Sequence, residues 1–279
     1  MMVYKYNSVL TIAGSDSGGG AGIQADLKTF AALGCYGTSA ITAVTAQNTL
    51  GINDIHPIPP AIVKSQIMAV MDDIRPSVIK IGMLPNAEII GVVAETLKMY
   101  NDLTIIVDPV MKSTSGTDLS GNESLKVLIA ELFPIATLIA PNINEAALLT
   151  GNHISNIDDM RSAALALLKY GSNAVLVKGG HLDGEVLYNV YADQSHTKET
   201  FSYPYIPSLN THGTGCTLAS AIASYIASGQ SLVEAIAAAG DYVNKAIQQG
   251  RNVKTGQGCG PLNHGFKPKS LQKKRAKLN

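Results

Sequence analysis

The fold is set by a stretch near the start of the chain, Val9-Leu10-Thr11-Ile12-Ala13-Gly14-Ser15-Asp16-Ser17-Gly18-Gly19-Gly20-Ala21-Gly22-Ile23-Gln24-Ala25. Its apolar, β-branched beginning, Val9–Ala13, predicts a buried strand that ends at a glycine. A helix-period segment follows over Ala21–Leu33, and an apolar run over Thr38–Val44 predicts a second strand. A strand, a helix and a strand in this order predict a right-handed β-α-β unit with parallel strands.

The same alternation continues along the chain. Further strands are predicted at Val78–Ile81, Thr104–Val107, Leu138–Ile139 and Ala174–Val177. Further helices are predicted at Ala61–Ile74, Glu88–Tyr100, Ser124–Leu132, Asp158–Lys169, Gly215–Ala227 and Leu232–Gln249. Several strands are too continuously apolar to be half exposed, so we expect a three-layer α/β/α fold with a mostly parallel central sheet. A hairpin-like pair, Glu185–Tyr191 and Thr200–Tyr205, predicts a small antiparallel edge.

Composition bounds the class of protein. The chain has 279 residues, of which 46% are hydrophobic, enough for the core of one large domain, and we assign residues 1–266 to it. The formal net charge is zero, but six basic residues and no acidic ones fall between Lys267 and Lys277. We expect residues 267–279 to form a flexible basic tail without a function of its own, so nucleic acid is not an expected partner.

The cysteines Cys35, Cys216 and Cys259 are widely separated and form no C-x-x-C pair. This spacing argues against a disulfide framework and a structural zinc site, and it favours a reducing compartment such as the cytoplasm. The N-terminus lacks the apolar segment of a signal peptide, and no apolar run is long enough to cross a bilayer. We therefore expect neither export nor a membrane partner.

Chemically suggestive residues follow the predicted strands at the point where each strand ends. Ligands of open α/β sheets bind beyond the carboxyl ends of the strands, so we expect these residues to meet at one rim of the sheet. In chain order they are Gly14-Ser15-Asp16, Gln47-Asn48-Thr49, Gly82-Met83, Asp108-Pro109, Asn142-Ile143-Asn144-Glu145 and Lys178-Gly179-Gly180-His181.

One further motif, Asn210-Thr211-His212-Gly213-Thr214-Gly215-Cys216, runs directly into a predicted helix. Glycines at a helix start let backbone N–H groups approach an anion, and the helix dipole adds positive potential there, so we expect a phosphate site. The same field would favour Cys216 as a thiolate. Two other interpretations stay open: a cysteine hydrolase with His212 as its proton shuttle, or a small buried residue at a tight helix entry.

The glycine-rich stretch near the N-terminus also has the spelling G-x-G-x-x-A, at Gly20–Ala25, which occurs in dinucleotide-binding folds. Such folds need a carboxylate at the end of the second strand to hold the ribose, and here the sequence Ala43-Val44-Thr45-Ala46-Gln47 contains none. The chain also lacks the G-x-x-x-x-G-K-[ST] motif of P-loop proteins. Any phosphate site must therefore use other glycines.

Two acidic residues and a lysine complete the predicted site. Asp108 and Glu145 offer hard oxygen ligands, and Mg²⁺ commonly takes one or two carboxylates together with water and phosphate oxygens. Either residue alone could instead be a helix N-cap or a first-turn charge. Lys178 ends an apolar strand, where an ammonium needs an anionic partner such as a phosphate, with a structural salt bridge as the alternative.

These segments together resemble the hydroxymethylpyrimidine/phosphomethylpyrimidine kinase family of thiamin biosynthesis, in the ribokinase-like superfamily, up to about Gly265. The matching blocks are Leu10–Phe30, Ala46–Thr49, Lys80–Leu84, Val107–Met111, Pro141–Ala146, Lys178–His181 and His212–Thr217. The resemblance implies a ribokinase-like fold and a Mg²⁺- and ATP-dependent phosphotransferase. Its substrates would be 4-amino-5-hydroxymethyl-2-methylpyrimidine and then the monophosphate of that alcohol.

The resemblance also implies roles for individual residues. Cys216 would be the general base, in the place of the Asp of most ribokinase relatives, because a thiolate can accept the proton of the attacking alcohol. Gln47 would pair with the aminopyrimidine edge through its amide. The implied catalytic residues are Cys216, Gly213, Thr214, Gly215 and Lys178. The implied pyrimidine contacts are Gln47, Gly14, Ala21, Asp26, Met83 and Val110. The implied nucleotide contacts are Lys178, Asn142, Thr211, Gly213 and Gly215, with Asp108 and Glu145 on the metal.

Members of the family are commonly homodimers, and the resemblance places the adenine near residues 240–245 and 258–261. Two alternatives stay open. Pyridoxal kinases share the fold, the cysteine and the anion site, although Gln47-Asn48-Thr49 favours the pyrimidine. A non-catalytic regulator that binds a nucleotide or a vitamer could use the same scaffold, although such a binder would not need the base Cys216.

Overall fold

The computed structural model describes residues 3–111, 122–180 and 184–275. Most of its strands belong to one sheet, and their bounds are β1 Tyr4–Tyr6, β2 Ser8–Asp16, β3 Tyr36–Asn48, β4 Gly51–Pro57, β5 Val78–Ile81, β6 Thr104–Val107, β7 Leu138–Ile139, β8 Ala174–Lys178, β9 Val186–Asp193, β10 Lys198–Pro204 and β11 Lys273–Arg275. Nine of them form the central sheet in the order β10-β9-β8-β7-β6-β5-β2-β3-β4. The six strands from β8 to β3 are parallel, and the three outer strands are antiparallel to their neighbours.

Helices cover both faces of this sheet. Their bounds are α1 Gly22–Ala32, α2 Pro60–Asp73, α3 Ala87–Leu97, α4 Asn122–Val127, α5 Ile143–Thr150, α6 Ile157–Leu168, α7 Thr214–Ala227 and α8 Leu232–Gly250. A π-helical turn, Leu128–Leu132, extends α4. Helices α2, α3, α5 and α6 pack in one apolar core, and α1, α7 and α8 pack in a second core on the other face. No helix in the described ranges is both long enough and apolar enough to cross a membrane.

Alternation along the strands explains their sequence. Ile105 and Val107 of β6 enter the first core while Ile106 enters the second, and the residues of β8 divide in the same way. Strands that are buried on both faces need apolar residues at every position, which is why their sequences are continuous apolar runs. The predicted three-layer, mostly parallel fold is confirmed, and so is the antiparallel edge made by β9 and β10.

Besides the short strands β1 and β11, two elements were not predicted. Strand β4 lies antiparallel to β3 at the sheet edge, and its mostly exposed residues carry no apolar alternation that would have indicated it. Helix α5 follows β7 directly and is only eight residues long. Its start matters for the site, because Asn142 caps it.

The C-terminal segment differs from the expected flexible tail. Residues 273–275 form β11, which pairs antiparallel with β1, and the Lys269 and Gln272 N–H groups donate to the carbonyls of Ala32 and Gly34. The exposed backbone of β1 offers an edge that these basic residues can join without burying their charges. Residues 276–279 of the predicted tail, and His181 of the predicted rim, lie outside the described residues.

Candidate active site

The carboxyl ends of the parallel strands open into one cleft of about 1100 Å³. All but one of the catalytic, pyrimidine, nucleotide and metal residues that the resemblance implies line this cleft: Gly14, Ala21, Gln47, Met83, Asp108, Val110, Asn142, Glu145, Lys178, Thr211, Gly213, Thr214, Gly215 and Cys216. The exception is Asp26. The structure therefore brings together the rim residues of six strands and the start of α7, as the topology of a parallel sheet requires.

Helix α7 begins at a backbone that only glycine adopts easily. Gly213, its N-cap residue, has a φ of 84°, and a Cβ at this position would lie 1.9 Å from the carbonyl oxygen of Gly20. No side chain caps the helix. The Thr214 N–H donates to the Thr211 carbonyl, whereas the N–H groups of Gly215 and Cys216 precede the first intrahelical bond and can donate to an anion in the cleft that both residues line. A Cβ on Gly215 would lie 3.4 Å from Lys178 Nζ, which places the helix start next to a cation.

The glycine loop before α1 is held by one carboxylate. Asp16 accepts hydrogen bonds from the N–H groups of Gly18, Gly20 and Ala21, and its Oδ2 lies 2.9 Å from His212 Nε2. Burial alone would raise the pKa of Asp16, but the bonds from His212 and from the loop lower it below the usual value. Asp16 thus joins the α1 loop to the segment before α7 through His212.

Cys216 lies where the starts of two helices meet. It is the third residue of α7, and its sulfur accepts a hydrogen bond from the N–H of Gly22, the first residue of α1. The burial of the sulfur and the carboxylates around it oppose the thiolate that the helix start alone favours. Burial raises the pKa of the Cys216 thiol to about 11, and the nearby Asp26 and Asp108 raise it further, while Lys80 and the Gly22 N–H oppose them.

Three charged side chains form the polar centre of the cleft. Lys178 Nζ donates to Asp108 Oδ1 at 2.5 Å, and these side chains are 12% and 2% exposed. Burial, and repulsion from Asp108, raise the pKa of Glu145 to about 7 although Lys178 opposes them. Burial lowers the pKa of Lys178, but Asp108 and Glu145 raise it above its usual value, so the ammonium stays charged.

The structure confirms the helix-start alternative for Glu145. It completes a capping box at the start of α5, because its Oε2 accepts from the Asn142 N–H at 2.7 Å while its own N–H donates to Asn142 Oδ1 at 2.9 Å. The salt-bridge alternative for Lys178 is confirmed by its contact with Asp108. The Glu145 carboxyl group titrates near pH 7 and is repelled by the Asp108 carboxylate. A divalent cation at these two carboxylates would relieve that repulsion.

Gln47 reaches the opposite side of the cleft from the end of β3. A register shift between Ala46 and Gln47 in the pairing with β4 lets the strand turn its last residues toward the cleft. The Gln47 amide lies 3.1 Å from Thr45 Oγ1 and 3.4 Å from His212 Nε2, contacts that limit its rotation. Met83 closes the floor, since a Cβ on Gly14 would lie 2.5 Å from its methyl carbon.

The expectation that Asp26 lines the pyrimidine pocket is not met. Asp26 lies in α1 with no exposed surface, and both of its oxygens lie 2.9 Å from Nζ of the equally buried Lys80. A carboxylate saturated by a buried ammonium has no free oxygen for a substrate. The sequence contained a signal for this pair: Lys80 interrupts the wholly apolar strand β5, and a lysine there requires a buried acid.

The sequence matches a known protein family. The family profile of phosphomethylpyrimidine kinase matches residues 16–263. Hydroxymethylpyrimidine/phosphomethylpyrimidine kinase of Bacillus subtilis (strain 168) is 45% identical over 277 residues, which cover 99% of this chain and 100% of that protein. The thiamine biosynthesis bifunctional protein ThiED of Geobacter sulfurreducens is 50% identical over 261 residues, 94% of this chain and 53% of that protein. The chain thus spans about half the length of that bifunctional relative.

Solved structures agree with this assignment. Phosphomethylpyrimidine kinase from Clostridium difficile 630 has a TM-score of 0.76 and 47% identity, covering 86% of this chain and 99% of that chain. Pyridoxal kinase from Staphylococcus aureus in complex with pyridoxal has a TM-score of 0.85 and 34% identity, covering 98% and 100%. A further structure of that kinase contains AMP-PCP and pyridoxal. Because the profile matches most of this chain and the Bacillus protein matches along its whole length, the chain belongs to the phosphomethylpyrimidine kinase family.

Proposed function

We propose that this protein is a kinase that transfers the γ-phosphoryl group of ATP to the hydroxymethyl group of hydroxymethylpyrimidine, and then phosphorylates the monophosphate to the diphosphate, as a step of thiamin biosynthesis. The observation that carries the proposal is the meeting of the open helix start at Gly213–Cys216 with Lys178 in one cleft. Phosphoryl transfer depends mainly on positioning and on stabilising charge on the phosphoryl oxygens. N–H donors and an ammonium that face the same space supply both.

Asp108 and Glu145 would hold Mg²⁺ in this reaction. Two carboxylates suffice, since this cation keeps waters and takes its other ligands from phosphates. The raised pKa of Glu145, about 7, supports the fit because the pair lacks a full counter-charge. The metal, when bound, would neutralise charge on the ATP phosphates. Lys178 would then be released from Asp108 to approach the transferred phosphoryl group, and Asn142 and Thr211 would contact the nucleotide.

Cys216 would accept the proton of the substrate hydroxyl as its oxygen attacks phosphorus. In the free protein the thiol pKa of about 11 makes the thiolate the minor form at neutral pH. In a loose phosphoryl-transfer transition state, the bond from the alcohol oxygen to phosphorus is little formed, so the alcohol keeps its proton until late. A small population of the thiolate is therefore compatible with turnover. The Gly22 N–H and the start of α7 would stabilise the thiolate when it forms.

A second candidate is phosphorylation of pyridoxal. The favouring observation is the likeness to the Staphylococcus kinase solved with pyridoxal, whose TM-score exceeds that of the Clostridium phosphomethylpyrimidine kinase. Against it stand the higher sequence identity to the pyrimidine kinases and Gln47, whose amide offers a donor and an acceptor to an aminopyrimidine edge.

The proposal also includes a cytoplasmic homodimer, which the family resemblance supports. Light scattering of the purified protein tests whether it is a dimer.

The deciding experiment compares kcat/KM for hydroxymethylpyrimidine, its monophosphate and pyridoxal, with ATP and Mg²⁺ and detection of each phosphorylated product by mass spectrometry. We expect both pyrimidines to be phosphorylated with a higher kcat/KM than pyridoxal. A higher value for pyridoxal would favour the second candidate. Tight binding of a vitamer without any ADP release would favour the regulator and overturn the proposal.

Gln47→Leu tests the pyrimidine pocket directly. The substitution removes the amide from the cleft, so we expect the KM for hydroxymethylpyrimidine to rise about tenfold, the scale of one or two lost hydrogen bonds, while the KM for ATP stays the same. Asn48→Ala is the matched control, because Asn48 is the next residue but accepts from the Leu50 N–H instead of lining the cleft. Equal rises in both KM values for Gln47→Leu would contradict the assignment.

A further inference from the structure

The pair of Lys80 and Asp26 is fully buried and lies outside the cleft. Lys80 Nζ donates to both oxygens of Asp26 at 2.9 Å, and both side chains are 0% exposed. Two hydroxyls complete the carboxylate: Thr11 donates to Oδ2 at 2.6 Å and Ser220 donates to Oδ1 at 2.7 Å. Each carboxylate oxygen therefore accepts one hydroxyl and one ammonium hydrogen bond.

These four side chains come from four different elements. Thr11 belongs to β2, Asp26 to α1, Lys80 to β5 and Ser220 to α7. Ser220 lies four residues after Cys216, so it is one helical turn below it on the same face of α7. A buried carboxylate with fixed partners on the sheet thus holds α7 at the turn next to its open start. A displacement of α7 along or about its axis would break the bond to Ser220.

We propose that Lys80 and Asp26 are positioning residues of the active site: their buried ion pair, through Ser220, fixes the start of α7 and Cys216 against the cleft and sets the charge behind the sulfur. This inference rests on the proposed function of Cys216 and of the α7 start. Neither residue touches the cleft, so both act through others.

The charged groups around the sulfur come from four segments of the chain. Lys80 of β5 and Lys178 of β8 favour the thiolate, Asp26 of α1 and Asp108 after β6 disfavour it, and the N–H of Gly22 donates to it. Lys80 and Asp26 therefore shift the pKa of the Cys216 thiol in opposite directions. Removing either member of a buried pair destabilises the fold, so a role in stability alone predicts the same direction of change for both variants. A role in the site predicts opposite changes in thiol reactivity.

The test measures the thiol itself. Alkylation of Cys216 by iodoacetamide is followed by mass spectrometry of its peptide between pH 7 and 11, which reports the thiolate fraction without any substrate. We expect Asp26→Asn to speed alkylation at pH 9 and Lys80→Met to slow it, each by about threefold to tenfold, where tenfold corresponds to one unit of pKa. Equal rates, or shifts in the same direction, overturn the electrostatic part of the proposal.

Two control variants keep the result interpretable. The double variant Lys80→Met/Asp26→Asn removes both charges together, so we expect its alkylation rate to lie between those of the single variants and its folding to recover relative to Lys80→Met. If Lys80→Met does not fold, the double variant and Asp26→Asn still give the sign. Leu167→Ala, in the other apolar core, destabilises through a cavity alone and should leave the alkylation profile unchanged.

Ser220→Ala tests the positioning part. It removes one hydroxyl tether and no charge, so we expect kcat to fall about tenfold while the KM for hydroxymethylpyrimidine and the alkylation profile stay near wild type. Unchanged kcat in a folded Ser220→Ala protein overturns the positioning role. The alkylation result does not depend on kinase activity, so a wild-type protein without that activity would contradict the proposed function and leave the thiol measurement valid.

Discussion

Two lysine–aspartate pairs lie toward the carboxyl ends of the parallel strands and differ in what surrounds them. Lys80 and Asp26 are fully buried, and every carboxylate oxygen has two donors. Lys178 and Asp108 lie at the cleft wall, where the lysine keeps 12% of its side-chain surface exposed. The second pair also has a neighbour, Glu145, whose pKa is raised to about 7.

Under the proposed function, the difference separates a structural ion pair from a ligand site. A pair whose charges and hydrogen bonds are complete gains nothing from a further ligand, and it stabilises one arrangement of the elements that it joins. A pair with an extra, poorly compensated carboxylate and free surface can exchange partners when a cation and phosphates arrive. The chain therefore contains the same two residue types twice, once as a fixed support and once as an exchangeable contact.

The largest expected effect is on stability, at the buried pair. Lys80→Met leaves the carboxylate of Asp26 buried without its cation, so we expect the free energy of unfolding to fall by about 3–5 kcal/mol. Urea denaturation followed by circular dichroism measures it. Asp26→Asn/Lys80→Met should recover much of the loss, and a loss below about 1 kcal/mol for Lys80→Met alone would remove the distinction between the pairs.

The next effect is on catalysis, at the cleft pair. Lys178→Met removes a cation from the phosphoryl oxygens, so we expect kcat to fall by about a hundredfold to a thousandfold. Its stability should fall less than that of Lys80→Met, because Glu145 can take up a proton near pH 7 and relieve its repulsion from Asp108. Lys98→Met, which breaks the exposed pair with Glu131, is the control and should change neither quantity. A strong loss of stability in Lys178→Met would make this pair structural too.

The third effect is on catalysis at Cys216, the cleft residue that the buried pair is proposed to position. We expect Cys216→Ala to lower kcat by about a hundredfold, the usual contribution of a positioned base. Since the thiol pKa is about 11, kcat/KM of the wild type should rise with pH through the alkaline range, because the thiolate is the active form. Cys216→Asp places a much stronger acid there, so the rise should move to lower pH. Wild-type activity in Cys216→Ala would exclude the base.

The sequence predicted the fold well because the parallel strands are buried on both faces. Val78–Ile81 and Thr104–Val107 each contain a single polar residue, Lys80 and Thr104, and their predicted bounds are the observed ones. The exposed edge strand β4 was missed because its burial is too irregular for a period of two. The pairing of β11 with β1 was not predicted, because the basic composition of the C-terminal segment does not indicate which backbone groups pair.

The positions of the site residues could be predicted from the topology of the sheet. Their protonation states could not, because these depend on charges that only the fold brings together. Strand ends such as Asp108 and Lys178 meet because parallel strands end at one rim. The state of Cys216 depends on Asp26, Asp108 and Lys80, which come from three separate segments, so the local helix start gave the wrong sign. Asp26 was misplaced for the same reason, since only the fold brings Lys80 to it.

The smallest expected effect compares two capping boxes. Glu145 and Glu234 cap α5 and α8 in the same way, but the cleft raises the pKa of Glu145 to about 7, whereas Ser231 at the surface lowers that of Glu234. With an unfolded pKa near 4.5, the raised value makes the folded protein lose stability as pH rises from about 4.5 to about 7. Thermal unfolding at pH 5 and 7.5 should therefore show Glu145→Gln more stable than wild type only at the higher pH, and Glu234→Gln slightly less stable there. The same sign for both variants would mean that the cap, and not the cleft, governs Glu145.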